Sequence, residues 1–319
     1  MTNFSTPILF LVFNRPSNTK AVFEKIREIK PSKLYIAADG PRENKIGELE
    51  LCGEVRAITN LIDWDCDLKT LFRDKNLGCK LAVSGGISWF FEHEEEGIII
   101  EDDVLPLMSF FPYCEELLNK YRNDESVAVI TGNNLITTKF QPEGSYFFSH
   151  YANIWGWATW KRVWEKYDRD LVHWEEWSRS DNFKKISDDT PFFEFYWKDQ
   201  INAVQKGKTD TWDFQFFYSC WRMNGLCAVP KNNLTDNLGF DANATHTTGK
   251  MPDFVQASVV KELDFPLSHP KNIERNTKAD KIINESVFKI SLGTTLKWKL
   301  RRVPFIGIFL SKMRKVLNV

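Results

Sequence analysis

The sequence predicts an α/β protein built on a mainly parallel sheet flanked by helices. Short apolar runs at 7–13, 34–38 and 97–100 have strand length and no polar face, as strands covered by helices on both sides do. Segments with helical spacing separate them. Each run ends in polar or turn-forming residues: Asn14-Arg15-Pro16, Asp39-Gly40-Pro41 and Glu101-Asp102-Asp103. Right-handed βαβ units gather the carboxyl ends of parallel strands along one edge, and open α/β sheets bind their ligands in the crevice beyond that edge.

Pro7-Ile8-Leu9-Phe10-Leu11-Val12-Phe13 reads as the first buried strand. No basic region precedes it, no small-residue cleavage site follows it, and Asn14-Arg15 come directly after, so a signal peptide or membrane span is not expected. Ser17 is placed to cap a helix in which Val22, Phe23, Ile26 and Ile29 recur at helical spacing until Pro31. A second strand at 34–38, a helix at about 48–61, a short strand at 69–72 and a helix at about 80–92 follow in order. That helix leads into Gly97-Ile98-Ile99-Ile100, which runs directly into the acids. Pro106 and Ser109 are expected to open another helix to about 122, and 127–131 resumes the sheet. Six of the twelve tryptophans then lie between Trp155 and Trp177. Trp157, Trp160 and Trp164 have the spacing of one helical face and are expected in the core, with a platform for a sugar ring as the alternative use of an indole here. No linker long or polar enough to mark a separate domain interrupts the chain before about 270.

Composition excludes some classes. Forty-two basic residues against forty-three acidic ones give a net charge of −1, so no global electrostatic case for nucleic-acid binding exists. The six cysteines form no Cys-x-x-Cys pair, which points to reduced, structural thiols and a cytoplasmic setting. From Ser286 to Val319 the chain has no acid and eight cations, which surround the apolar run Val303-Pro304-Phe305-Ile306-Gly307-Ile308-Phe309-Leu310. That run is too short to span a bilayer. It fits a segment lying on an anionic membrane surface, or a helix that closes the domain with a solvated basic face.

Three consecutive carboxylates after a wholly apolar strand are costly to bury unpaired, so they are expected at an exposed strand end. Hard oxygen ligands placed there suit Mg²⁺ or Mn²⁺ bound together with a substrate diphosphate, while a solvated acidic turn is the plain alternative.

Phe13-Asn14-Arg15-Pro16, Ala38-Asp39-Gly40, Asn76-Leu77-Gly78-Cys79-Lys80 and Glu101-Asp102-Asp103, in this order, resemble the N-acetylglucosaminyltransferase I family in its bacterial members. The likeness covers roughly residues 7 to 248. It implies the glycosyltransferase type A fold, a Rossmann-like nucleotide-diphospho-sugar transferase. On that basis 1–270 is one transferase domain, with a nucleotide-binding half at 1–132 and an acceptor-side half at 133–270, and 271–319 is a basic, amphipathic helical extension.

The same resemblance implies that Asp103 coordinates Mn²⁺, or Mg²⁺, bridging the phosphates of a UDP-sugar. Glu101 and Asp102 would contact the ribose and the transferred sugar, Asp39 would accept from the uracil ring, and Arg15 would meet the diphosphate. Lys80 and Ser84 match positions near the nucleotide, on a helix whose N-terminus favours phosphate or holds the base. Carboxylate with imide and guanidinium with phosphate are chemically matched pairs. Asp39 as a turn cap, Arg15 in an ordinary ion pair and Gly85-Gly86 as mere packing glycines are the structural alternatives.

An acceptor hydroxyl attacking an anomeric carbon must also lose its proton. The family places an aspartate beside a tryptophan after the Trp-rich segment. Trp212-Asp213-Phe214 is the best match, which makes Asp213 the expected base, with Glu175 and Glu176 between Trp174 and Trp177 as competitors. An inverting single displacement follows from the resemblance. His246, in a late polar loop, is an expected further metal ligand or diphosphate contact, or else a surface histidine. The implied acceptor is a glycan or lipid-linked glycan of surface polysaccharide assembly, met at the inner face of the plasma membrane. Two rival classes are a sugar-1-phosphate nucleotidyltransferase, whose glycine-rich phosphate loop has no counterpart at Asn14-Arg15-Pro16, and a non-catalytic glycan- or nucleotide-binding module.

Overall fold

The computed structural model describes residues 4–187, 190, 192–240 and 251–290. Strands β1 (Ile8–Val12), β2 (Lys33–Ala38), β3 (Asp67–Phe72) and β4 (Glu96–Glu101) are parallel and lie in the order β3-β2-β1-β4. Their crossovers are helices α1 (Pro16–Ile29), α2 (Glu48–Arg56) with a 3-10 continuation at Ala57–Leu61, and α3 (Gly78–Phe91). A short strand β5 (Val104–Pro106), helix α4 (Phe110–Tyr121) and strands β6 (Val127–Thr131), β7 (Tyr146–Ser149) and β8 (Trp157–Trp160) follow. Helices α5 (Lys161–Trp164), α6 (Trp174–Trp177), α7 (Asp181–Ser187), α8 (Phe193–Gln205) and α9 (Asp213–Arg222) come next. Strands β9 (Leu226–Pro230) and β10 (Thr235–Asn237) and helices α10 (Asp253–Gln256) and α11 (Thr277–Ser286) complete the described elements.

One eight-stranded sheet, β3-β2-β1-β4-β8-β6-β9-β7, runs through both halves of the chain, and β10 pairs with β5 in a separate antiparallel ribbon. Strands β8 and β7 are antiparallel to their neighbours and β6 is parallel to β9, so the α/β, mainly parallel architecture expected from the sequence is the one observed. The core follows from the apolar runs. Ile8 to Phe10 and Ile98 to Ile100 are wholly buried, with Val22, Phe23 and Ile26 of α1, Ile87 and Phe90 of α3, and Leu117 and Leu118 of α4 against the sheet. Gly86 permits this closeness: an added Cβ would stand 3.0 Å from Leu11 and 3.2 Å from Ala37.

Three local expectations are corrected. Ser17 caps nothing, because the helix begins at Pro16 with Arg15 in the cap position and no side-chain cap; proline without an N–H is suited to the first helical turn. Pro106 closes β5, paired with Thr235, instead of opening α4. Trp157 and Trp160 lie on strand β8 and Trp164 on the short α5, so their spacing straddles a strand–helix boundary. Pairing of β8 with β4 and β6 on its two sides overrides the local helical pattern. All three indoles are buried, as core packing requires.

Residues beyond 270 begin inside this body. Asn276 N–H donates to the Phe148 carbonyl at 2.7 Å, and buried Asp280 of α11 accepts from Ser149 Oγ and Arg275 Nε, both at 2.5 Å. Most of the basic tail, 291–319, lies outside the described residues, as does His246. Among the described residues no helix is long and apolar enough to cross a membrane. All six cysteines are free thiols.

Candidate active site

Beyond the carboxyl ends of β1, β2, β3 and β4 opens a cleft of about 450 Å³. Arg15, Asp39, Glu101, Asp102, Asp103 and Asp213, separated by up to two hundred positions in sequence, all line it. Each reaches it for a topological reason: Arg15 follows β1, Asp39 follows β2, and Glu101 is the last residue of β4.

The triplet is not uniformly exposed. Glu101 and Asp103 are half-buried, while Asp102 is 7% exposed where the chain turns from β4 into β5. The Phe13 backbone N–H donates to Asp102 Oδ2 at 3.0 Å, and Arg15 Nη1 stands 3.8 Å from its other oxygen. Arg15 is bound more closely to Asp103, at 2.6 Å. Burial, then repulsion from Asp103, Asp102 and Asp213, pushes the Glu101 carboxyl up to about 8, against the pull of Arg15. Burial and Asp103 push Asp102 up to about 7, against Arg15 and the Phe13 N–H. This end of the cleft is therefore short of positive charge.

That shortage is what a divalent cation relieves, and carboxylate oxygens are the hard ligands Mg²⁺ and Mn²⁺ take. Among the described residues no group of three His, Cys, Asp or Glu side chains is placed to hold a metal alone.

Asp39, 8% exposed, is committed to its own chain. It accepts from Gly40 N–H at 2.9 Å, Leu77 N–H at 3.0 Å, Gly78 N–H at 3.2 Å and Asn76 Nδ2 at 3.0 Å. Burial raises its pKa, opposed by those N–H groups and by Arg73. The capping role weighed for it is thus present. It ties the end of β2 to the 76–78 turn, and Asn76 and Gly78 there line the cleft.

Asp213 is the first residue of α9, accepting from Thr211 Oγ1 and, at 2.8 Å, from the Phe214 N–H. Its charge reaches Glu101 across the cleft. Beside it Trp212 is 2% exposed and stacks on Trp157 with ring centroids 5.8 Å apart. The competing acids are elsewhere. Glu175 and Glu176 are exposed on α6, with Glu175 paired to Arg179 at 2.7 Å, and neither lines the cleft. Trp155, partly buried, does line it, as Trp212 does, and packs edge-on to Phe240.

Lys80 and Ser84 do not line the cleft. Lys80 Nζ pairs with Asp170 at 3.2 Å, and Ser84 Oγ donates to the Lys80 carbonyl at 2.5 Å while facing a separate groove on the other side of α3.

Arg73 and Asp210 are among the lining residues that sequence reasoning missed. Arg73 immediately follows β3, the same signal that singled out Arg15 after β1. Gly85 makes room for its guanidinium, since an added Cβ would meet Nη2 at 2.8 Å. Asp210 gave no local signal, because its partners, the N–H groups of Cys79 and Lys80 at 3.1 and 3.2 Å, lie about 130 positions away.

No protein-family model matches the chain, and no curated protein does. Solved structures similar to it include apo UDP-glucose pyrophosphorylase, with a TM-score of 0.34, 11% identity and coverage of 70% of this chain and 90% of that one. Apo mouse xyloside xylosyltransferase 1 aligns with a TM-score of 0.31 and 11% identity over 67% of this chain and 80% of that one. HddC from Yersinia pseudotuberculosis aligns with a TM-score of 0.32 and 9% identity over 51% and 80%.

Proposed function

We propose that this chain is an inverting glycosyltransferase that moves a sugar from a UDP-sugar to a glycan or lipid-linked glycan acceptor. One observation carries the reading: a guanidinium, a carboxylate triplet and a separate carboxylate at a helix start meet in one cleft at the strand ends, although they come from distant parts of the chain. The motif resemblance to N-acetylglucosaminyltransferase I supplies the substrate class.

Arg15 binds the donor diphosphate as a bidentate fork and neutralises the leaving group. Asp103 would hold Mn²⁺ or Mg²⁺, which when bound would supply positive charge to stabilise the leaving diphosphate. Glu101 and Asp102 orient the ribose and the transferred sugar. His246, outside the described residues, is a further ligand candidate. Asp213 accepts the proton of the acceptor hydroxyl as that oxygen bonds to the anomeric carbon and the carbon–oxygen bond to the diphosphate breaks. Trp155 offers its face to a sugar ring. The basic tail holds the enzyme on the anionic inner leaflet, where lipid-linked acceptors sit.

The test is UDP release from UDP-sugars in the presence of Mn²⁺. Wild type turns over; Asp213→Asn keeps donor binding and loses about 100-fold or more in rate. Release of pyrophosphate from a nucleoside triphosphate and a sugar 1-phosphate would instead place the protein with the nucleotidyltransferases. Undiminished transfer by Asp213→Asn would move the base elsewhere. For the tail, a chain ending at Ser286 is expected to float less with anionic liposomes than the full chain; equal flotation would leave the tail a packing element.

A further inference from the structure

Four successive backbone N–H groups, those of Leu77, Gly78, Cys79 and Lys80, open helix α3 and are shared between two carboxylates. Asp39, from the end of β2, takes the first two, and Asp210 takes the last two at 3.1 and 3.2 Å. Asp39 belongs to the donor side of the cleft. Asp210 belongs to the connection between α8 and α9, three residues before Asp213.

This contact is built for closeness. Gly78 has φ +78, and a Cβ there would stand 2.8 Å from Asp210 Oδ2. On the other side of the connection, Tyr167 Oη donates to the Trp212 carbonyl at 3.1 Å and the Trp212 ring is buried. The segment from Asp210 to Asp213 is therefore fixed at both ends, by α3 through Asp210 and by the core through Trp212. Within it Thr211 holds Asp213.

We infer that Asp210 is a positioning residue: by clasping the start of α3 it sets the distance of Asp213 from the donor side of the cleft. The inference rests on the reading of Asp213 as the base. Asp210 itself touches no reacting atom in this scheme. Its work is that of an acceptor for two N–H groups, which an asparagine oxygen also performs, since Asn and Asp rank alike as caps at helix N-termini.

The experiment compares Asp210→Ala and Asp210→Asn with wild type, all in the full chain. UDP affinity is read by calorimetry, turnover by UDP release from UDP-N-acetylglucosamine with Mn²⁺, and clasp integrity by amide exchange at Cys79 and Lys80. In Asp210→Ala, exchange at those two amides quickens and kcat falls about tenfold to 100-fold, because small misplacements of a catalytic group are costly, while UDP affinity stays close to wild type. Asp210→Asn recovers slow exchange and most of kcat. Full turnover by Asp210→Ala with quickened exchange overturns the inference alone. So does an Asp210→Asn variant that keeps the clasp yet is as slow as the alanine, since the carboxylate would then act in the chemistry. Wild-type turnover that survives Asp213→Asn sinks the base assignment and the inference with it.

Discussion

Arg15 is the guanidinium in contact with the triplet, and its removal leaves Asp102 and Asp103 unpaired in a partly dry site. Its side chain is 16% exposed and that of Asp103 is 20% exposed, so Arg15→Ala is expected to cost about 3 kcal/mol, the lower end for breaking a buried pair. Urea unfolding in chelator measures it. The sign with pH follows from the raised carboxyls. Folded Glu101 and Asp102 keep protons up to about 8 and 7 that the unfolded chain releases near 4 to 4.5. Metal-free stability therefore falls as pH rises through that window, and Arg15→Ala falls further than wild type at pH 8. A flat difference between the two proteins from pH 5 to 8 would contradict this charge balance.

Residue identity made part of the site legible and hid the rest. Arg15, Asp39 and the triplet announce themselves because each follows a strand whose apolar run is unmistakable. Asp213 stood out as a lone acid among aromatics. Asp210 was invisible, because what it does is decided by backbone groups of a distant helix. Lys80 was misleading in direction: on α3 its side chain leans to Asp170 and away from the cleft.

At the scale of elements, the turn after β2 and the docking of α11 are the features most open to test. Gly40 lies against the backbone of Lys75, where an added Cβ would stand 2.3 Å from the carbonyl carbon. Backbone cannot yield as a side-chain tip can, so Gly40→Ala is expected to destabilise by about 2 kcal/mol or more and to weaken UDP binding by displacing the 73–76 turn. Thermal unfolding and calorimetry read both effects. Around α11, His150 is 3% exposed, with Nε2 3.9 Å from Asp280 Oδ2 and Arg275 paired to the same carboxylate. Burial lowers its pKa from 6.5 to about 4, Asp280 opposing and Arg275 assisting. The unfolded chain thus binds a proton that the folded one refuses, and stability present above pH 6.5 is lost as pH falls towards 4, by about 3 kcal/mol. His150→Phe should remove this slope; an unchanged slope would mean that other groups titrate there.

Elements with one strong local signal were legible: the runs read as strands at 7–13, 34–38 and 97–100 fall on strands at 8–12, 33–38 and 96–101, with helices between them. Where two signals conflicted, the sheet won. Trp157 to Trp160 carry a helical spacing, yet they fill a place between β4 and β6, and no local pattern records partners contributed from about sixty and about thirty residues earlier.

For the whole molecule, the single continuous sheet has a functional consequence. Strand β8, from the later half, is inserted between β4 and β6 of the earlier half, so the two halves share one framework and the strand-end cleft is fixed by both. Donor binding should accordingly stabilise the entire body and raise the midpoint of one cooperative unfolding transition. The central claim is that the cleft holds a nucleoside diphosphate through Arg15 and Asp103 while proton chemistry lies with Asp213. Calorimetric titration of UDP in the presence of Mn²⁺ tests this most directly. The account predicts binding by wild type and by Asp213→Asn with similar affinity, and a loss of about tenfold or more in Asp103→Ala, on the order of one charge-assisted contact. Equal UDP affinity in all three proteins would contradict it.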